Sequence, residues 1–154
     1  TGINGGKYSA KQIADILLNL WPTSKVEKPY IVCTGGEPLL QIDQLFITTI
    51  KSIGFEIGLE TNGTILAPEG FDWICVSPKA NSKLKLKKGN ELKFIYPQKN
   101  LNPKDHEFLD FDHFFIQPLD DKYQSQNVLM AKEFIKMNPS WKLSIQTHKV
   151  LGIP

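Results

Sequence analysis

Five short polar groups recur along the chain, each after a run of apolar residues. They are Thr34-Gly35-Gly36-Glu37-Pro38, Glu60-Thr61-Asn62-Gly63, Ser77-Pro78-Lys79, Gln117-Pro118-Leu119-Asp120 and Gln146-Thr147-His148-Lys149. Their residue types suit ligand binding. Gly35-Gly36 removes two side chains and lets a ligand approach the backbone, whose N–H and C=O groups can meet an amino or carboxylate group. On its own, the pair is equally a tight turn, with Pro38 stiffening the exit. Glu60 closes an apolar run, where it is either a solvent-facing end or an acceptor for a ribose or amine in a polar cleft. Lys79 either holds a ligand carboxylate or belongs to the lysine-rich stretch through Lys83, Lys85, Lys87, Lys88 and Lys93, which reads as a solvated loop face. Position alone leaves His148 between a substrate donor and a structural histidine.

These groups matter only if the fold brings them together. Helical spacing runs from Tyr8 to Leu20, with Ile13, Ile16, Leu17 and Leu20 on one face, Ser9 as N-cap and Pro22 as stop. A second helix spans Ile42 to Ile53 and closes at Gly54, and a third runs from near Lys122 to Met137. Strands are expected at Tyr30–Cys33 (buried), Phe55–Glu60, Trp73–Val76, Leu92–Tyr96, His113–Ile116 and Leu143–Thr147. Strands separated by helices or long crossovers pair in parallel. Three helices for about six strands imply an α/β fold, a partial (β/α) barrel of parallel strands thinned of helices. In such folds ligands bind at the C-terminal strand ends, which is where all five groups lie.

Composition excludes several classes. The 154 residues suit a single domain, 1–154, of ordinary globular make-up: 41% apolar, 22% charged. A net charge of +2 gives no case for a nucleic-acid partner. Every one of the 18 basic residues is Lys, so ligand anions must be met by Lys, His, hydroxyls or backbone N–H groups, without arginine's two-pronged fork. No apolar stretch approaches the roughly 20 residues that span a bilayer, so no membrane partner is expected. Cys33 and Cys75 read as buried reduced thiols, as befits a cytoplasmic protein. His106 and His113, beside Asp105, Glu107, Asp110 and Asp112, lack zinc-site spacing and read as surface residues. Nucleophile-elbow, phosphate-loop and dinucleotide-binding signatures are all missing.

Cys33-Thr34-Gly35-Gly36-Glu37-Pro38-Leu39 resembles the GGEP motif of radical S-adenosylmethionine (SAM) enzymes. Together with Glu60-Thr61-Asn62-Gly63-Thr64, Val76-Ser77-Pro78-Lys79, Gln117 to Asp120, Gln146 to Lys149 and the end at Pro154, the set resembles the 7-carboxy-7-deazaguanine synthase family. The resemblance runs from about Gly2 to the last residue. It implies a lyase of queuosine biosynthesis that turns 6-carboxytetrahydropterin into 7-carboxy-7-deazaguanine. A 4Fe-4S cluster cleaves SAM, the deoxyadenosyl radical abstracts hydrogen, the ring contracts with loss of ammonia, and Mg2+ assists. By motif, Gly35, Gly36, Glu37, Glu60, Ser77, Pro78, Lys79, Gln117, Pro118, Leu119 and Asp120 would serve SAM, and Thr34, His148 and the Pro154 carboxylate would touch the pterin. The resemblance also implies a homodimer and an electron donor such as flavodoxin.

One departure stands out. Such a cluster needs three cysteine thiolates close together, and the chain has two cysteines, on separate strands. The resemblance implies that its ligands, a magnesium ligand and the first barrel strand lie N-terminal to Thr1, in a part absent from this sequence. Thr1-Gly2-Ile3-Asn4-Gly5-Gly6 reads as a loop cut open, no signal peptide. Two other functions remain open: a different small radical SAM enzyme that activates a glycyl protein, and a SAM- or pterin-binding module without a cluster.

Overall fold

The structure is a computed structural model that describes residues 5–21 and 28–152. Pro22 lies outside the described residues. Helix α1 (Ala10–Leu20) starts where Ser9 and Gln12 cap each other reciprocally: Gln12 N–H donates to Ser9 Oγ at 3.3 Å and Ser9 N–H to Gln12 Oε1 at 2.8 Å. Helix α2 (Gln44–Ser52) begins two residues later than its apolar spacing suggests, because Asp43 caps it by accepting Phe46 N–H at 2.8 Å. Helix α3 spans Gln124–Met137, and a short helix, α4, spans Thr147–Leu151.

Six strands form one parallel sheet: β1 (Tyr30–Cys33), β2 (Glu56–Thr61), β3 (Trp73–Val76), β4 (Lys88–Tyr96), β5 (Asp110–Pro118) and β6 (Trp141–Leu143). They lie side by side in chain order. This is the thinned α/β architecture that the spacing of helices and strands predicts.

Several strand expectations need correcting. Among the described residues strand β1 is not buried: it is an edge of the sheet, with Tyr30 41% and Val32 51% exposed. The last strand ends at Leu143 rather than Thr147. Ser144 N–H makes one more bond, to Ile116 O at 2.8 Å, and Pro118 on β5 has no N–H to carry the ladder on. Strands β4 and β5 begin four and three residues earlier than their apolar centres, at Lys88 rather than Leu92 and at Asp110 rather than His113. Their polar starts are knitted in. Asn90 accepts Ile74 N–H at 2.9 Å and donates to Asp112 at 3.2 Å.

The helices cover one face of the sheet. On one side of that face α1 and α2 pack with Ile31, Ile57 and Phe55. On the other, α3 packs Ala131 and Phe134 against Val76, Leu92, Phe94 and Ile116. Trp141 sits at the centre, 1% exposed, with its ring against those of Phe94, Phe114 and Phe134 and its Nε1 donating to Glu107 at 2.5 Å. Side chains alternate along a strand, so Glu91, Lys93 and Ile95 face away from the core that holds Leu92 and Phe94. Register sets Glu60 beside Cys75, Cys75 beside Glu91, and Glu91 beside His113 on this opposite face. His106 and His113 are half-buried packing residues rather than surface ones, against Phe94 and against Trp73 and Phe115 respectively.

Candidate functional site

Parallel strands in sequential order put every strand end on one rim, and a cleft of about 540 Å³ opens there. Seven of the residues given a ligand role by the resemblance line it: Thr34, Gly35, Gly36, Glu60, Ser77, Lys79 and Gln117. They come from the ends of β1, β2, β3 and β5. Segment 144–147, from the end of β6 to the first residue of α4, closes the far side.

Gly35 adopts φ +117°, a conformation L side chains rarely take, and a Cβ at either Gly35 or Gly36 would meet nothing within 4 Å. The two glycines therefore bare a stretch of backbone to open space. Ser77 and Lys79 form a second polar element, with Nζ 3.3 Å from the serine oxygen.

Glu37 does not line the cleft. Its carboxylate turns back into the fold, accepting Leu39 N–H at 3.1 Å, Thr61 Oγ1–H at 2.7 Å and Asn62 N–H at 2.8 Å. Pro78 is buried beneath the rim. Pro118, Leu119 and Asp120 run on outside the cleft wall. Leu119 N–H donates to Tyr96 O at 2.8 Å, and Asp120 pairs with Lys149 of α4. His148 belongs to α4, directly after cleft-lining Thr147. Pro154 lies outside the described residues.

Lys93 is the residue that sequence reasoning missed. It closes the lysine-rich stretch taken as solvated, and Lys83, Lys85, Lys87 and Lys88 are indeed exposed. Lys93 instead lines the cleft, with its side chain only 15% exposed. The signal was present in Glu91-Leu92-Lys93-Phe94-Ile95: strand alternation puts Lys93 opposite Leu92 and Phe94. Its Nζ donates to Glu60 Oε1 at 3.0 Å and lies 3.9 Å from Glu91 Oε1. Thr34 Oγ1 donates to the other Glu60 oxygen at 3.0 Å. Burial pushes the Glu60 pKa up, but Lys93, Thr34 and Lys79 outweigh it and hold the carboxyl below its ordinary range. For Lys93, burial pushes the pKa down, and Cys75, Glu60 and Glu91 more than offset this.

The donor set fits some cofactors and not others. Bare glycine backbone beside a lysine and a carboxylate fits the methionine amino, carboxylate and ribose groups of SAM. A 4Fe-4S cluster does not fit. Cys33 packs toward the helices while Cys75 faces the cleft, and burial pushes their thiols up to about 11 and about 12. Among the described residues, no group of three His, Cys, Asp or Glu could hold a metal ion, which covers Mg2+ as well. Nor is any described helix long and apolar enough to cross a membrane.

No protein-family model matches the chain. Curated proteins do. The chain is 49% identical over 153 residues to the 7-carboxy-7-deazaguanine synthase of Bradyrhizobium diazoefficiens, covering 99% of this chain and 72% of that protein. It is 45% identical over 154 residues to the enzyme of that name from Burkholderia multivorans, covering 99% and 73%. For the Caulobacter vibrioides protein of the same name the identity is 44%, with the same coverage. The crystal structure of QueE from Escherichia coli shares the fold, with a TM-score of 0.64 at 20% identity over 90% of this chain and 64% of that one. With near-complete coverage of this chain at up to 49% identity, and a matching parallel sheet whose strand ends form the cleft, the chain belongs to the 7-carboxy-7-deazaguanine synthase family.

Proposed function

We propose that this chain supplies the SAM- and substrate-holding cleft of a lyase that converts 6-carboxytetrahydropterin into 7-carboxy-7-deazaguanine for queuosine biosynthesis. The observation that carries the reading is the meeting of Thr34, Gly35, Gly36, Glu60, Ser77, Lys79 and Gln117 around one cleft of about 540 Å³. The exposed backbone at Gly35 and Gly36 receives the amino group of SAM. Lys79 offsets a ligand carboxylate as a point charge. Glu60 accepts from a hydroxyl or N–H, and Ser77 and Gln117 complete the polar lining. Thr34, His148 and the Pro154 carboxylate are assigned to the pterin, while Glu37, Pro78, Pro118, Leu119 and Asp120 support the SAM side from behind the wall. SAM, when bound and reduced, supplies the hydrogen-abstracting radical.

The cluster and Mg2+ that the family uses are assigned to residues other than Cys33 and Cys75. A cytoplasmic setting, in which Cys33 and Cys75 stay reduced, is proposed as well. A homodimer and a flavodoxin-like electron donor are proposed from family resemblance alone.

Calorimetry with SAM and with 6-carboxytetrahydropterin tests the reading. The full-length protein should bind both, and Lys79→Met should weaken SAM by about tenfold, as loss of a hydrogen bond to a charged group does. No heat with either ligand refutes it.

A further inference from the structure

The polar groups on the floor of the cleft form a connected set. Lys93 stands on the central strand β4, flanked by Glu60 two strands away and by Glu91 on its own strand. Cys75 lies between them and approaches Glu91 Oε1 at 3.4 Å. Such a lysine cannot serve as a solvated surface charge, because its side chain is only 15% exposed. A buried ammonium must be matched by carboxylates, and here two lie within 4.0 Å: Glu60, which lines the cleft, and Glu91 on the same face of the sheet.

The hydrogen-bond directions constrain the site. Lys93 has only protons to give, so Glu60 Oε1 accepts. Glu60 Oε2 accepts from Thr34, whose single hydroxyl proton is thereby committed. Each carboxylate oxygen keeps a further lone pair, and Thr34 Oγ1 keeps its own. Glu60 is still 46% exposed at its side chain, so these lone pairs open to the cleft.

We propose that Lys93 is a positioning residue: it fixes the Glu60 carboxylate against Thr34 so that this pair presents acceptors only to the cleft, and so selects a ligand edge made of hydroxyl or N–H donors. This rests on reading the cleft as the SAM and pterin site. Both ligands carry such an edge, the ribose diol of SAM and the amino-pyrimidinone of the pterin. Without Lys93, Glu60 would be free to swing or take up a proton. A protonated Glu60 would present a donor where the ligand also presents one.

The groups around Glu60 are Lys93, Thr34, Lys79, Cys75 and Tyr30, and Glu91 acts on it through Lys93. Lys93→Met keeps the buried stem and removes the charge. Lys93→Arg keeps the charge. Titration of the Glu60 carboxyl by carbon-detected NMR, in ligand-free full-length protein, should give a pKa below the ordinary range in wild type and a raised one in Lys93→Met. Calorimetry should show the dissociation constant of SAM or of the pterin rising about tenfold or more in Lys93→Met, and recovering to within about threefold in Lys93→Arg. The ligand affected is the one whose donors meet Glu60. Glu60→Gln should produce the same loss for the same ligand, and the double variant no further loss. If Lys93→Met fails to fold, Glu60→Gln decides: unchanged affinity for both ligands overturns the proposal. Wild-type binding with unaltered affinity in Lys93→Met overturns it alone. Failure of wild type to bind either ligand overturns the reading of the cleft, and this proposal with it.

Discussion

Glu37 and Thr61 are joined by a 2.7 Å hydrogen bond from the threonine hydroxyl to the glutamate carboxylate, which ties the loop after β1 to the end of β2. The same carboxylate takes two backbone N–H groups, from Leu39 and Asn62. Glu37 thus holds the glycine loop in place without touching the cleft. Glu37→Ala should destabilise the protein by about 3 kcal/mol, because buried Thr61 and two N–H groups lose a charged partner. Glu37→Gln should cost about half of that. Urea denaturation measures both, and a loss under about 1 kcal/mol in the alanine variant would rule the account out.

The two glycines separate folding from binding. Gly35 has φ +117°, so Gly35→Ala strains the backbone and should lower the melting temperature. Gly36 lies outside that region and its Cβ would meet open space. Gly36→Ala should leave stability within about 0.5 kcal/mol of wild type while weakening SAM by about tenfold or more. Thermal melts and calorimetry on the same preparations check the contrast. Equal effects on both readouts would mean that the loop is only a turn.

Thiol chemistry offers a separate check. With thiols pushed up to about 11 and about 12 by burial, Cys33 and Cys75 are almost wholly protonated at neutral pH. Neither should react measurably with iodoacetamide at pH 7.5 in the native protein, and both should react fully in urea. Mass spectrometry counts the adducts. Fast native labelling of either would contradict the burial described.

Acid should loosen the structure through identifiable groups. Burial pushes the Asp72 pKa up, but Lys51 and Ile57 N–H outweigh it, and Glu60 is likewise held below its ordinary range. A carboxyl whose pKa is depressed on folding contributes stability above its unfolded pKa and loses it as pH falls through the folded value. Stability should therefore be level near neutrality and decline from about pH 4 downward. Asp72→Asn should be less stable at pH 7 and show a shallower decline. Urea midpoints at several pH values test the sign. A rise in stability toward acid would refute it.

Much of this was legible in sequence because parallel strands carry a simple grammar. An apolar run ending in a polar group placed Thr34, Glu60, Ser77, Lys79 and Gln117 correctly on one rim, since chain direction alone decides which end of a parallel strand meets the ligand. Reading by hydropathy failed where a strand is amphipathic. Lys88 to Glu91 and Asp110 to Asp112 carry no apolar run to signal a strand, because their ladder bonds do not depend on apolar side chains. Lys93 was lost in the same way, hidden among exposed lysines. Glu37 shows a different limit. Sequence gives its place in a motif, but only the fold shows that its carboxylate faces Thr61 rather than a ligand.

Strand order has one more consequence. Since β1 to β6 lie in the sheet as they lie in the chain, each strand finds its neighbour already made as it leaves the ribosome, and pairing never waits for a distant partner. The cleft, by contrast, gains its last wall only with segment 144–147. Ribosome-stalled chains of increasing length should therefore gain protease resistance strand by strand, yet acquire affinity for SAM only once segment 144–147 has emerged. Structure would accrue gradually along the growing chain, and ligand recognition would arrive all at once.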